Sequence, residues 1–263
     1  MLASRSAVLR GTAPSPFLAY LRLEVRRLLR NRRYLVMTVG FPLVIYVLYT
    51  AILPTTDTRP IDGLAWPVYF LVSMAAYGAT GAAMSQAVPI ATERRQGWAR
   101  QLRVTPLSGG AYVAAKLLSA VALTVPALAL VIGVGGLLNG LGLGIGPSLA
   151  LIITIALASA PFAALGLLIG QLFDAESAQG GMVLTLFVMA ILGGLFAPAQ
   201  SLPPTVATIG AMLPSSHLAA VGRAVAGGRL PDVADAVVLV AWTAIVATLG
   251  VWRYVRAEHA TRA

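Results

Sequence analysis

Six long apolar stretches, separated by short polar segments, dominate the pattern of hydrophobic and polar positions along the chain. They cover residues 34–53, 67–90, 111–138, 147–169, 182–197 and 233–252. A helix needs about 20 apolar residues to cross a hydrocarbon core about 30 Å thick. All but the fifth stretch reach that length, and the fifth does so if its helix begins near Ser177. The pattern therefore predicts an all-α membrane protein with six transmembrane helices in a domain spanning 34–254, followed by a tail at 255–263.

Before the first apolar stretch, residues 15–33 follow a helical pattern with two different faces. One face is apolar and carries Phe17, Leu18, Leu21, Val25, Leu28 and Leu29. The other face carries Arg22, Arg26, Arg30 and Arg33. This pattern predicts an amphipathic helix lying in the membrane interface, with guanidinium groups near lipid phosphates. The alternatives are a calmodulin-like target helix or a nucleic-acid-binding arm. Residues 1–14 are predicted to be disordered, and the first apolar stretch is expected to stay in the mature protein rather than being cleaved as a signal peptide.

A strongly polar segment, residues 93–106, separates the second and third apolar stretches. Its charged groups cannot lie unpaired in hydrocarbon, where each unsatisfied polar group costs several kcal/mol. We therefore expect a short helix at or beyond the interface, within a polar segment at 91–110. Trp98 and Leu102 are spaced i and i+4, so they would share one face of it. The segment is either an ordinary charged loop or a docking element for a soluble partner.

Proline interrupts the stretch between the fifth and sixth apolar runs, at Pro198, Pro203, Pro204 and Pro214. Two short helices are predicted there, at about 204–212 and 215–226, with Ser215 or Ser216 as N-cap and Gly227 as C-cap. Neither helix is long enough to span a membrane. The region 198–230 is therefore predicted to be a re-entrant pair entering from the outer face, with an extracellular loop domain as the alternative.

Charge and composition support this organisation. The chain is 58% hydrophobic and 11% charged, with a mean hydropathy of +0.84, whereas soluble domains carry about 25% charged residues. The basic residues concentrate in the N-terminal arm, the 90–116 segment and the C-terminal tail, which together hold 16 of the 19 lysines and arginines. The positive-inside rule then places these segments and both termini in the cytoplasm, which requires an even number of spans.

Several chemistries are missing from the sequence. It has no cysteine and only two histidines, His217 and His259, so no metal site and no cofactor is predicted. The predicted spans carry no ionisable residue near their centres, which disfavours ion-coupled transport. The single lysine, Lys116, follows Ala115 and lies in no phosphate-binding loop. If the protein transports actively, its energy must come from a partner chain.

Two small-residue motifs predict close helix packing: Gly136-x-x-x-Gly140 and Gly166-x-x-x-Gly170. Such spacing lets two helix backbones approach each other. In a chain with 26 glycines the motif is weakly specific. We therefore interpret both motifs as general packing surfaces.

The polar segment resembles a family signature. Glu93-Arg94-x-x-Gly97, followed by Leu102 and Thr105-Pro106 between spans two and three, is similar to the motif of type-2 ATP-binding cassette (ABC) permeases. These are membrane subunits of bacterial exporters of drugs, antibiotics and polysaccharides. The segment from Gly193-Gly194 through Leu195-Phe196-Ala197-Pro198, Leu202-Pro203 and Leu213-Pro214 is similar to the outer re-entrant region of that family. His217-Leu218 departs from it, because many relatives have an aromatic residue after this proline.

The resemblance implies a six-helix half-transporter in the bacterial plasma membrane. It would pair with a second permease copy, with two copies of a P-loop ATPase and with membrane lipids, but not with nucleic acid. The resemblance also implies a set of residues that couple the chain to the ATPase: Glu93, Arg94, Gly97, Trp98, Arg100, Leu102, Thr105 and Pro106. The residues that it implies for the outer re-entrant region are Pro198, Pro203, Pro214 and His217.

The resemblance further implies that Glu93 and the nearby arginines would contact the ATPase and that Trp98 and Leu102 would pack into its groove. The chain itself would be a transport subunit rather than an enzyme, exporting a drug-, antibiotic- or lipid-like molecule. One alternative is a non-transporting structural or assembly subunit of a membrane complex. Another is an intramembrane enzyme such as a lipid transferase, which is disfavoured because the needed histidine, cysteine and membrane acids are missing.

Overall fold

The computed structural model describes residues 16–29, 32–52, 60–97, 109–141 and 144–260. In these ranges the chain forms eleven α-helices and one 3-10 turn at Ala199–Ser201. The first six helices are α1 (Pro16–Leu29), α2 (Arg32–Ile52), α3 (Trp66–Met84), α4 (Ala87–Arg95), α5 (Gly109–Leu138) and α6 (Ile145–Ala158). The others are α7 (Ala160–Leu172), α8 (Ala175–Leu192), α9 (Pro204–Gly210), α10 (Pro214–Ala226) and α11 (Val233–Ala260). The predicted disordered segment 1–14 lies outside the described residues.

Five candidate membrane spans lie within the described part of the chain. By length and composition they are Trp66–Arg95, Gly110–Leu138, Ile145–Leu172, Ala175–Leu192 and Val233–Arg253. They confirm an all-helical, multi-pass membrane protein. The first predicted span corresponds to α2, whose apolar part Thr38–Ile52 is shorter than these five. The fifth predicted span, 182–197, was placed too late in the chain. Its helix begins at Ala175 and ends at Leu192, and its 18 residues make it longer than the predicted stretch.

Two predicted continuous spans are broken in the structure. The second is interrupted at Ser85–Gln86, between α3 and α4, and the fourth at Ser159, between α6 and α7. Each break precedes a proline in the first turn of the next helix, Pro89 in α4 and Pro161 in α7. Proline has no backbone N–H and crowds the preceding turn, so the helical hydrogen-bond ladder is interrupted there. At the second break the hydroxyl and the backbone N–H of Ser159 both donate to the Ala156 carbonyl, at 2.6 Å and 3.2 Å.

Helix α3 is the centre of the bundle. Nearly all of its residues are buried, and α2, α5, α7 and α10 pack around it. Many of these residues are alanine or glycine, whose small side chains let the backbones of neighbouring helices approach closely. At its N-terminal end the Phe70 ring stacks on Tyr49 at 4.6 Å and on Trp66 at 5.4 Å between ring centroids.

The two glycine motifs behave differently. A Cβ at Gly166 would lie 2.6 Å from the Met84 carbonyl oxygen, and one at Gly170 would lie 2.5 Å from that of Ala87. Helix α7 therefore packs directly on the backbone at the α3–α4 break, as the 166–170 motif predicted. Among the residues that the structure describes, no atom lies within 4 Å of a Cβ at Gly136, so the prediction was wrong for the other motif. Gly140 instead adopts a left-handed φ of +59° in the turn after α5.

The predicted pair of short helices is present as α9 and α10, and Gly227 is the C-cap of α10 as expected. The N-cap prediction was wrong, because α10 begins at Pro214 with Leu213 as its N-cap. Proline suits the first helical position, where no N–H is needed. The hydroxyl of Ser215 donates to the Met189 carbonyl at 2.7 Å, so it ties α10 to α8 instead of capping it.

Helix α10 is inserted among the longer helices. Its Leu218 and Ala219 are fully buried, and it packs against α3, α6 and α11. A Cβ at Gly222 would lie 2.8 Å from Val72 of α3 and 3.1 Å from Ile155 of α6. A short helix of this kind needs tertiary contacts to be stable, because isolated helices below about 12–15 residues are marginal.

Candidate functional site

The end of α4 carries the first residues of the family-like motif. Glu93, Arg94 and Arg95 form the last turn, and Gly97 follows it in a left-handed conformation with φ +68°. The Gly97 N–H donates to the Arg94 carbonyl at 3.2 Å, which closes the turn. Glycine adopts this conformation without the steric cost that a Cβ brings. The motif's glycine therefore sets the direction in which the chain leaves α4.

Glu93 does not face solvent. It is 5% exposed, and its Oε1 lies 2.8 Å from Nζ of Lys116, whose side chain is fully buried. Its other oxygen, Oε2, accepts a hydrogen bond from the Tyr112 hydroxyl at 2.8 Å. We call Glu93, Tyr112 and Lys116 the Glu93 cluster. It joins the helix before the 98–108 segment to the helix after it.

Local helix geometry explains why α5 can supply both partners. Tyr112 and Lys116 are spaced i and i+4, so their side chains lie on the same face of α5. The Lys116 ammonium also lies 5.6 Å from the centre of the Tyr112 ring. A buried ion pair is strongly destabilised when only one partner is removed, because the other charge is left uncompensated. The cluster therefore couples the positions of α4 and α5 tightly.

Polar contacts continue from the cluster along the seam between the broken second span and α5. The Ser119 hydroxyl donates to the Lys116 carbonyl at 2.9 Å and accepts from the Gln86 amide at 3.2 Å. Gln86 lies in the α3–α4 break, where a helix backbone is interrupted. This buried row of contacts extends from the break to the end of α4.

A second contact ties the same end of α4 to the turn between α7 and α8. The exposed Arg94 donates from an Nη to the Phe173 carbonyl at 2.9 Å. The next residue, Asp174, caps α8 by accepting from the Ser177 N–H at 2.8 Å. That hydrogen bond to Ser177 is the main reason the pKa of Asp174 lies below its ordinary value, with a smaller contribution from the positive charge of Arg95.

Helix α1 packs against the start of α5. The ring of Tyr20 lies 6.0 Å from that of Tyr112, between centroids. Arg22 and Arg26 are exposed on the other face, as the amphipathic pattern predicted, but Leu18 is 56% exposed and not in the packed face. Arg30 lies outside the described residues, and of the Arg33 side chain nothing is described.

The remaining predicted coupling residues also lie outside the described ranges. They are Trp98, Arg100, Leu102, Thr105 and Pro106. Sequence reasoning missed Tyr112 and Lys116 as partners of Glu93. The available signal was Lys116 itself, the only lysine beside 18 arginines, placed two turns inside an apolar helix.

The opposite end of the bundle carries the predicted outer region. Pro198 precedes the 3-10 turn, Pro203 is the N-cap of α9, and Pro214 begins α10. His217, in the first turn of α10, has its Nδ1 2.6 Å from an oxygen of Asp235 in α11 and its Nε2 2.9 Å from the Ala211 carbonyl oxygen. Sequence reasoning missed Asp235, because the two residues are 18 positions apart.

Trp242 adds another contact there. Its indole N–H donates to the Met212 carbonyl at 3.0 Å. The turn between α9 and α10 is thus held by His217 from α10 and by Trp242 from α11.

Comparison with known proteins assigns a family to this arrangement. Residues 55–253 match the family described as "ABC-2 family transporter protein". The chain is also 27% identical, over 237 residues, to the "Putative transport permease YvfS" of Bacillus subtilis (strain 168). That alignment covers 90% of this chain and 95% of the relative. The matched region contains the broken second span, the Glu93 cluster and the α9–α10 region, and the chain belongs to the ABC-2 family of transporter proteins, as a transport permease.

Proposed function

We propose that the chain is the membrane subunit of an ABC exporter and that a separate P-loop ATPase drives it. Helix α2 would be the sixth span, both termini would face the cytoplasm, and the membrane would be the bacterial plasma membrane. The asymmetric distribution of basic residues supports this orientation, because under the positive-inside rule the Glu93 end of the bundle would face the cytoplasm. Helices α9 and α10 would then form the outer re-entrant region.

The observation that carries the proposal is the Glu93 cluster, which joins the helix that precedes residues 98–108 to the helix that follows them. A partner that pushes on this segment would also displace α4 and α5, which flank it in the chain and which the Glu93–Lys116 pair joins. Helix α5 packs along α3, and α4 packs on α7 and α8, so a displacement would reach the buried centre of the bundle. Motions between packed helices are the ordinary response to such a force.

The roles of the motif residues follow from their placement. Glu93 would be a positioning residue rather than a direct contact, since its carboxylate is used inside the chain. Trp98 and Leu102 would supply the apolar contact with the ATPase, and Arg94 and Arg100 would lie beside it. Gly97 would set the direction of the segment, and Thr105-Pro106 would end it.

A pull-down with the cognate P-loop ATPase tests the docking segment. Trp98→Ala should reduce co-purification about 30-fold, since a truncated aromatic anchor typically costs about 2 kcal/mol of binding free energy. Trp252→Ala is the matched control: it removes a tryptophan that is 51% exposed on α11, in a membrane span. If both variants bind like the parent, the segment does not dock the ATPase.

Two further variants separate docking from coupling. Glu93→Ala should lower ATP-driven efflux more than it lowers membrane insertion, because it breaks the link between the segment and α5. Gly97→Pro should be more severe, since proline cannot adopt a φ of +68° and lacks the N–H that closes the α4 turn. Normal efflux in both variants would contradict the proposed role of Glu93 and Gly97 in coupling the ATPase to transport.

Topology and energy source have separate tests. Reporter fusions at Thr56 and Leu141 should read outside, and one after Ala263 inside. The purified chain should show no ATPase activity, because its sequence has no phosphate-binding loop. An outside C-terminus would place the docking segment on the wrong side of the membrane.

The complete exporter would hold two ATPase copies and a second permease copy. Helix α8 supports the pairing of permeases, because it is apolar and little of it is buried within one chain. Leu184 and Ile191 are 66% and 52% exposed on it. The cargo would be drug-, antibiotic- or lipid-like, which an efflux screen over these compound classes would resolve.

A further inference from the structure

A lateral groove lies between the α6–α7 break and the first half of α11, away from the Glu93 cluster. Its volume is about 550 Å³, within the range of about 300–1,000 Å³ that small-molecule sites occupy. Leu157 and Pro161 line one wall, and Leu239, Val240 and Ala244 line the other. Val221 of α10 lines it as well.

The lining is suited to hydrocarbon. Its two hydroxyl side chains are Thr154 and Thr243, and the Thr243 hydroxyl is already used by the Leu239 carbonyl at 2.7 Å. No charged side chain is among the lining residues. A polar ligand would lose its hydrogen bonds to water in this groove without forming new ones, which costs free energy. An apolar chain has no such hydrogen bonds to lose.

The groove opens sideways, toward the bilayer. Leu157 and Val240, both lining residues, are 66% and 68% exposed. Both lie within candidate membrane spans, and little of the α11 span is buried inside the chain. In a membrane such a surface is covered by lipid tails.

The length of the groove matches one leaflet. Along α11 it extends from Ala236 to Ala247, about 16 Å at a rise of about 1.5 Å per residue. Half of a hydrocarbon core about 30 Å thick is about 15 Å. The groove starts beside Pro231, just before α11, so it runs from the α9–α10 end of the bundle toward the middle of the membrane.

From this geometry we infer that the groove is a binding site for one acyl chain of a membrane phospholipid, taken from the leaflet on the α9–α10 side. The carboxyl end of the chain lies near Ala236 and its methyl end near Ala247. The bound chain fills the space left by the α6–α7 break and supports Val221 of α10.

Photolabelling of the unmodified protein in vesicles tests the site. The probe is phosphatidylcholine with a diazirine in one acyl chain, added as a minor component and mapped by mass spectrometry after irradiation. Adducts at 154–158 and 239–247 should exceed those at Leu130, a leucine on α5 that is 46% exposed and does not line the groove, at least five-fold. Equal labelling of both surfaces would overturn the inference.

The position of the diazirine tests the direction of the chain. A group near the carboxyl end should label Ala236, and a group near the methyl end should label Ala247. The reverse order would assign the chain to the other leaflet and overturn the inference as stated.

A matched pair of variants tests occupancy. Ala244→Trp fills the groove and should reduce its adducts at least five-fold, while Ala241→Trp places the same bulk on another exposed face of α11 and should not. Gel filtration verifies that each variant is folded, and Ala244→Leu, which adds less volume, replaces the first variant if it is not. Unchanged labelling in a folded groove variant would contradict the site.

Discussion

The two ends of the helix bundle each contain an acid–base pair, but the pairs differ in burial and in what they join. Glu93–Lys116 is almost entirely removed from solvent, with side chains 7% and 0% exposed. His217–Asp235 is more accessible, at 19% for Asp235 and 16% for His217. The first pair joins α4 to α5 across the 98–108 segment, whereas the second joins the short α10 to α11. Burial makes the first pair the more costly to break.

The difference matters for how each end can move. An uncompensated charge in the bundle is penalised strongly, so α4 and α5 stay together while the pair persists. Near the surface, solvent can take over part of the lost interaction. The two helices at the Glu93 end are therefore expected to move as one unit, whereas α10 can separate from α11 at a lower cost in free energy.

The largest expected effect is at the Glu93 end. Lys116→Met removes the ammonium group that lies 2.8 Å from the buried Glu93 carboxylate. We expect the free energy of unfolding to fall by about 3–5 kcal/mol. The measurement is the thermal unfolding midpoint of the detergent-purified protein.

Its control is the double variant Glu93→Gln with Lys116→Met. Without a buried charge, most of the stability should return, while coupling to the ATPase should not. A double variant as unstable as the single one would contradict the assigned ion pair.

At the His217 end the effect should be smaller. His217→Ala and Asp235→Ala should each lower the free energy of unfolding by about 1–2 kcal/mol, because a hydrogen bond to a charged group is lost at a partly exposed site. The double variant should cost clearly less than the sum of the two. Additive effects would mean that the two side chains do not interact.

A glycine pair sharpens the comparison between the ends. Gly170→Ala should destabilise by about 1–3 kcal/mol, because the added methyl would press on the Ala87 carbonyl of α4. Gly136→Ala, near the other end of α5, meets no neighbour and should be neutral or stabilising by up to about 1 kcal/mol. Equal effects on the unfolding midpoint would contradict the close packing of α7 on α4.

The smallest effect is expected at Asp174. The lowered pKa means that its contribution is present above the unfolded-state pKa and is lost as pH falls through the lower folded-state value. Asp174→Ala should increase hydrogen exchange in the first turn of α8, whereas Asp174→Asn, also a good N-cap, should not. Equal exchange in both variants would show that the cap is not used.

The sequence by itself determined the class of protein. Apolar length and hydropathy are properties of contiguous residues, so the spans at 111–138 and 233–252 could be located closely without a structure. The family-like motif also depends on contiguous residues, and Gly97 has the left-handed conformation that glycine commonly adopts directly after a helix C-cap.

What the tertiary structure decided are the contacts between distant positions. Two motifs with the same glycine spacing differ because only Gly166 and Gly170 meet a neighbouring backbone. Lys116 is 23 residues from Glu93 and Asp235 is 18 from His217, and no local pattern pairs them. The physical reason is that helix periodicity fixes which residues share a face, whereas packing of helices fixes which faces meet.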